Sequence, residues 1–146
     1  MRPPGEPAST SANAAPWVRT LRALDAQRAQ AFWTLDVDAL NNIYVPGSAP
    51  WTADRALLSQ YRSQNVRVQG LRVTIDSTSI TRRTPTTITL RTTDHLTGGE
   101  AVDHTGARTP LPRGKPTTRL ITLTSNPATT APGSPTAWRI STITQA

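Results

Sequence analysis

The residues of this chain best suited to chemistry crowd into one stretch, Thr92–His104, which reads TTDHLTGGEAVDH. It holds both histidines, and each directly follows an aspartate: Asp94-His95 and Asp103-His104. An imidazole beside a carboxylate can serve as a general base, and it can equally serve as one half of a structural charge zipper across a hairpin. Register decides between the two. Thr97-Gly98-Gly99-Glu100 reads as a hairpin tip. With Leu96 opposite Ala101, Asp94 faces Asp103, two like charges. With Leu96 opposite Val102, Asp94 faces His104 and His95 faces Asp103. Complementary opposed residues contribute about 0.2–1 kcal/mol and like charges cost energy, so the second register and a structural zipper are expected. The histidines then lie on opposite faces of the ribbon and cannot ligate one metal. No H-x-x-x-H spacing or carboxylate cluster takes their place, so no metal site is expected.

Arg28 is the second candidate. It falls in the middle of an apolar helical stripe, where an unpaired guanidinium is prohibitively costly. It must reach the rim, pair with a carboxylate, or anchor an anionic ligand with its two-pronged donors. Asp94 and Asp76, from the strands, are the partners expected for it.

Those side chains need elements to hold them. Projecting WVRTLRALDAQRAQAFWTL at about 100° per residue gathers Trp17, Leu21, Leu24, Ala31, Phe32 and Leu35 on one stripe, a long amphipathic helix beginning near Pro16. DVDALNNIYV predicts a short second helix capped by Asp36, with Leu40, Ile43 and Tyr44 inward and Pro46-Gly47 ending it. TADRALLSQYRSQ predicts a third, capped by Thr52, with Asp54 in its first turn and Leu57, Leu58 and Tyr61 buried. From Val66 the period becomes two. Val66 and Val68 slip in phase against Leu71, Val73 and Ile75, which a bulge at Gly70 explains. Strands TITLRTTDHL, a brief EAVDH, TTRLITLTS and AWRISTI follow, separated by long Pro- and Gly-rich loops over 105–116 and 126–136, read as mobile or used for contact. Residues 1–15, rich in Pro, Ala and Ser, read as a flexible tether, and 16–146 as one domain.

Composition narrows the function further. There is no cysteine, which excludes disulfides, Cys-ligated zinc and thiol catalysis. The chain also lacks G-x-S-x-G, a phosphate-cradling glycine loop, H-E-x-x-H and a dinucleotide fingerprint, so no cofactor is expected. Its net charge of +7 comes from scattered single arginines with no run of four, a pattern that disfavours nucleic acid as the partner. No apolar run approaches the roughly 18 residues of a membrane span, so any membrane attachment is expected from an upstream anchor. Trp33 and Trp51 are the tryptophans placed to serve an interface, with packing against their own chain the blander reading of each.

Three helices followed by antiparallel strands indicate an α+β domain with the helices packed in a curved, bulged sheet. The long first helix, DALNNIYVPGS, the bent RVQGLRVTI and the terminal WRISTI together resemble the NTF2-like (cystatin-like) superfamily over roughly residues 17–146, most of all its membrane-tethered extracytoplasmic versions in actinobacteria. The resemblance implies a cone, with the sheet wrapped around the first helix and a pocket at the open end. It does not assign a reaction, since that superfamily includes ketosteroid-isomerase-like and SnoaL-like enzymes, transport factors and scaffolding domains.

The leading expectation is a non-enzymatic binding or assembly module at the extracytoplasmic side of the cell envelope. It would contact a protein or envelope component, with Arg28, Tyr44 and Asp94 as binding side chains and the threonine-rich sheet face open to homodimerisation. The competing expectation is a small-molecule enzyme of the SnoaL or ketosteroid-isomerase kind, with Asp94, His95 or Asp76 as its acid or base. A third is an anion-binding surface of Arg67, Arg72, Arg82, Arg83 and Arg91.

Overall fold

The computed structural model describes residues 12–125 and 138–146. Most of the expected tether, and the whole 126–136 loop, lie outside the described residues.

Helix α1, Ala15–Thr34, is entered through a 3-10 turn at Ala12–Ala14 with Pro16 in its first turn, and it buries Val18, Leu21, Leu24, Ala31 and Phe32 along the expected stripe. It stops at Leu35, whose left-handed backbone (φ 57°) lets its N–H return to the Ala31 carbonyl. Asp36 accepts the Ala39 N–H and caps the next element, Val37–Asn42, which is a 3-10 rather than an α-helix. Six residues between a left-handed stop and Pro46-Gly47 are too few to sustain α-helical pairing, and the tighter turn still drives Leu40, Ile43 and Tyr44 into the core.

Helix α2 runs Ala49–Ser63 and starts earlier than a Thr52 cap would have it. Ser48 has the extended backbone of a cap and Pro50 occupies the first turn, while the Thr52 hydroxyl bonds back to the Ser48 carbonyl. The shift moves Asp54 out of the first turn. Leu58 is fully buried, whereas Leu57, expected beside it, is exposed.

The sheet has strands β1 (Arg67–Arg83), β2 (Thr87–Val102), β3 (Arg108–Pro110), β4 (Thr117–Ser125) and β5 (Trp138–Gln145). All pairings are antiparallel in the order β1-β2-β4-β5, with β3 on β2 beyond the point where β4 leaves it. The bulge at Gly70 is present. Its φ is +66°, and pairing skips from Gln69↔Glu100 to Arg72↔Gly98. Val68, Leu71, Val73 and Ile75 therefore share the concave face, and further register shifts after Ile75 and Ile80 continue the bend.

The hairpin expected at Thr97–Glu100 does not form. β2 runs straight through it, with Leu96 opposite Val73 and Val102 opposite Arg67. Continuing the strand satisfies its backbone against a partner of 17 residues, more than a local zipper offers. Gly98 lies within the strand opposite Arg72, and a Cβ there would make only ordinary contacts, 3.5 Å from the Gly70 carbonyl oxygen. The chain reverses at Asp103, whose Oδ1 accepts the Thr105 and Ala107 N–H groups and the Thr105 hydroxyl. Loop 105–116 is docked rather than free: after β3, the Leu111 and Gly114 N–H groups bond to the Gly99 and Leu96 carbonyls. The result is an α+β cone in which α1 lies in the hollow of the bent sheet, sealed by Phe32, Leu24, Leu40, Ile43, Leu58, Ile88, Leu90 and Leu123.

Candidate functional site

The core does not fill the hollow. A cavity of about 270 Å³ remains between the helices and the sheet. Its apolar wall is Leu21 from α1, Val73 and Ile75 from β1, Ile121 from β4, and Ile140 and Ile143 from β5. Its polar wall is Asp25 and Arg28 from α1, Tyr44 behind the 3-10 helix, Asp54 from α2, Asp94 from β2 and Arg119 from β4.

Two networks account for most of that polarity. Arg28 donates from Nε to Asp54 Oδ2 at 2.6 Å and from Nη2 to Oδ1 at 2.9 Å, and the Tyr44 hydroxyl donates to Oδ2 at 2.6 Å. The arginine also lies over the Phe32 ring, 4.8 Å from its centre. Burial works against its charge, but the hydrogen bonds to Asp54 and that carboxylate's charge outweigh burial and raise its pKa. The Tyr44 phenol is likewise pushed up, by burial first and by the Asp54 charge second. Across the cavity, Arg119 Nη2 donates to both oxygens of Asp94, at 2.9 and 3.0 Å. Its Nε is buried with no hydrogen-bond partner among the described residues.

Asp25 belongs to neither network. Among the described residues it has no hydrogen-bond or ion-pair partner. Burial, with the Asp94 charge adding to it, raises its pKa from 3.8 to about 6, against the opposing pull of Arg28 and Arg119. Among the described residues it is the one acid of the cavity without a partner.

The candidates read from the sequence separate cleanly. Arg28, Tyr44 and Asp94 line the cavity. Arg28 takes its carboxylate from α2, however, and not from Asp94 or Asp76: Asp54 lies four and seven residues before Leu58 and Tyr61, on the inward face of that helix. His95 points to the convex face, where its Nδ1 lies 2.9 Å from Asp76 Oδ2. His104 is exposed, and Asp103 is occupied as a turn cap. Neither expected cross-pair, Asp94 with His104 or His95 with Asp103, forms. Asp25, Asp54 and Arg119 were not singled out from sequence. For Asp25 the signal was present, since it lies four residues after Leu21 and three before Arg28, on the same helical arc.

The remaining candidates lie away from the cavity. Trp17 is half-buried, edge-on to Trp138 with ring centres 4.9 Å apart. Trp51 packs on its own chain, donating to Asn41 Oδ1, and the exposed Trp33 sits beneath Arg67. The five arginines of the anion-surface reading are all exposed but strung out, with Arg67 and Arg83 at opposite ends of β1. No helix among the described residues is long and apolar enough to cross a membrane.

No family model and no curated protein matches the chain. Among solved structures it is similar to the intermembrane space region of the chloroplast protein ARC6, with a TM-score of 0.60 at 10% identity, covering 94% of this chain and 98% of that one. It is also similar to Aln2 from a Streptomyces species, with a TM-score of 0.51 at 12% identity, covering 94% and 93% of the two chains. At such identities the likeness carries the fold alone: an NTF2-like α+β cone.

Proposed function

We propose that this protein is a non-enzymatic binding module of the cell envelope that receives its ligand in the cone. The observation that carries the reading is an open, largely aliphatic cavity in which two of the three carboxylates are already committed to arginines. Asp54 is held by Arg28 and Tyr44, and Asp94 by Arg119. A general base needs a lone pair free to take a substrate proton. Asp94 has both oxygens engaged, while His95 and Asp76 face away from the cavity. Placement at the envelope is supported by two features: the fold occurs in the intermembrane space region of ARC6, and residues 1–15 have the composition of a tether.

Titrating the full isotope-labelled chain with a library of small organic molecules tests the cone. Bound compounds should shift the Val73, Ile75, Ile121 and Ile143 resonances and be recovered unchanged. Shifts confined to the convex face, or conversion of a bound compound, would overturn the reading. An alkaline-phosphatase fusion to the full gene product should be active at the envelope, and a cytosolic reporter fusion should not localise there.

Asp25 favours a second reading, a small-molecule enzyme with this residue as its acid or base, because an unpaired carboxyl with a raised pKa in an apolar hollow is what proton transfer near neutrality requires. Turnover of any bound compound that is lost in Asp25→Asn would select it.

A further inference from the structure

Building on the cone as a ligand site, we infer that the ligand carries a primary ammonium group on a short aliphatic chain and that Asp25 is the residue that holds it. The cavity walls present three carboxylates and two guanidiniums. Arg28 balances Asp54 and Arg119 balances Asp94, which leaves one carboxylate without a counter-charge among the described residues. An unpaired carboxylate beside aliphatic side chains is relieved by a proton or by a cation. A protonated amine brings both a positive charge and hydrogen-bond donors to the one acid of this cavity without a partner among the described residues. An anionic ligand is in the opposite position. It meets Asp25 and Asp94 as like charges, and both guanidiniums are already turned to carboxylates.

The rest of the wall fixes the remainder of the molecule. Leu21, Val73, Ile75, Ile121, Ile140 and Ile143 offer only hydrocarbon, which suits an alkyl chain and gives nothing to a second charge. The volume of about 270 Å³ falls below the range of roughly 300–1,000 Å³ that takes a drug-sized ligand, so the chain is a few carbons long. A metal ion is a poorer occupant, since no three His, Asp or Glu side chains converge among the described residues.

The test is a titration of the full chain, by nuclear magnetic resonance and calorimetry, with n-pentylamine, aminopentanol, pentanol and pentanoate, above and below pH 6. The charged groups facing Asp25 are Asp94 and Arg119 from the sheet, Arg28 on its own helix, and Asp54 from α2 with its Tyr44. The two amines should shift the cone resonances above pH 6, and about tenfold more weakly below it, where Asp25 takes up a proton. Asp25→Asn should weaken both by about tenfold. Ile143→Phe, which fills the cavity from β5 and leaves Asp25 in place, should abolish binding. Pentanoate or pentanol binding as well as the amines, or undiminished amine binding in Asp25→Asn, would overturn the ammonium assignment while leaving the cone a ligand site. If none of the four probes moves a cone resonance, both readings fall.

Discussion

Replacing Arg28 by leucine isolates the energetics of the larger network. The substitution removes the donors at 2.6 and 2.9 Å from Asp54 and leaves the carboxylate with the Tyr44 hydroxyl alone. Breaking a buried pair by deleting one partner costs about 3–5 kcal/mol, because the other charge stays buried. Arg28 keeps 26% of its side-chain surface in solvent and Asp54 11%, so the lower end applies, about 3 kcal/mol. For a domain of this size that lowers the melting temperature by about 10 °C. Arg28→Lys, which keeps the charge but loses the fork, should cost about 1 kcal/mol. The informative variant is the double replacement Arg28→Leu/Asp54→Leu. With both charges gone no charge is stranded, only the Tyr44 hydroxyl loses its acceptor, so it should be more stable than either single variant, with a coupling of about 2 kcal/mol. Urea unfolding monitored by tryptophan fluorescence measures all of these proteins. Single variants within about 1 kcal/mol of the parent, or a double variant losing the sum of the singles, would show that Asp54 is not held by Arg28 as described.

Three further outcomes follow. Asp25 has a pKa of about 6 in the folded chain against 3.8 as its ordinary value, so the folded state binds the extra proton. The stability this gives is full below pH 3.8 and is lost as pH rises through 6. Asp25→Asn should flatten that slope and be the more stable protein above pH 6, by up to about 3 kcal/mol; parallel slopes for both proteins in urea melts from acid to neutral pH would contradict it. Gly70→Ala meets no neighbour within 4 Å but must adopt φ +66°, for a cost of about 1 kcal/mol. Gly99→Ala should cost more, because its Cβ would lie 3.0 Å from Leu111 Cδ1 as well as at φ +145°; equal melting temperatures would deny the Leu111 contact. Phe32→Ala, beneath the Arg28 guanidinium and only 2% exposed, should cost about 3–5 kcal/mol by calorimetry.

How much of this was legible beforehand depended on the range of the interaction involved. The α1 stripe and the Gly70 bulge are written in local periodicity, and both are found in the structure as the periodicity implies. So is the oddity of Arg28, because a charge in an apolar arc needs no partner in hand to be noticed. Its partner was not named because the pairing of α1 with α2 is a tertiary contact between residues 26 apart in the chain, although Asp54 shares a helical face with Leu58 and Tyr61. The Asp-His stretch failed for a related reason. Its zipper was the best local solution, but β2 is paired by β1 along nearly its whole length, and the strand's own neighbours carry no sign of that. Thr97-Gly98-Gly99 reads as a turn from within its own strand and as a bulge crossing only once Gly70 is opposite.

One carboxylate, Asp54, ties together three successive parts of the chain: α1 through Arg28, the segment behind the 3-10 helix through Tyr44, and α2 through its own backbone. The helical layer is thus braced by itself, without borrowing a bond from any strand for that purpose. Descent and engineering can therefore treat the two layers differently. Insertions at β-strand ends, changes of outer-face threonines, and even a shortened β3 leave that brace untouched, so the rim of the cone is free to diversify for new occupants while its roof stays in place.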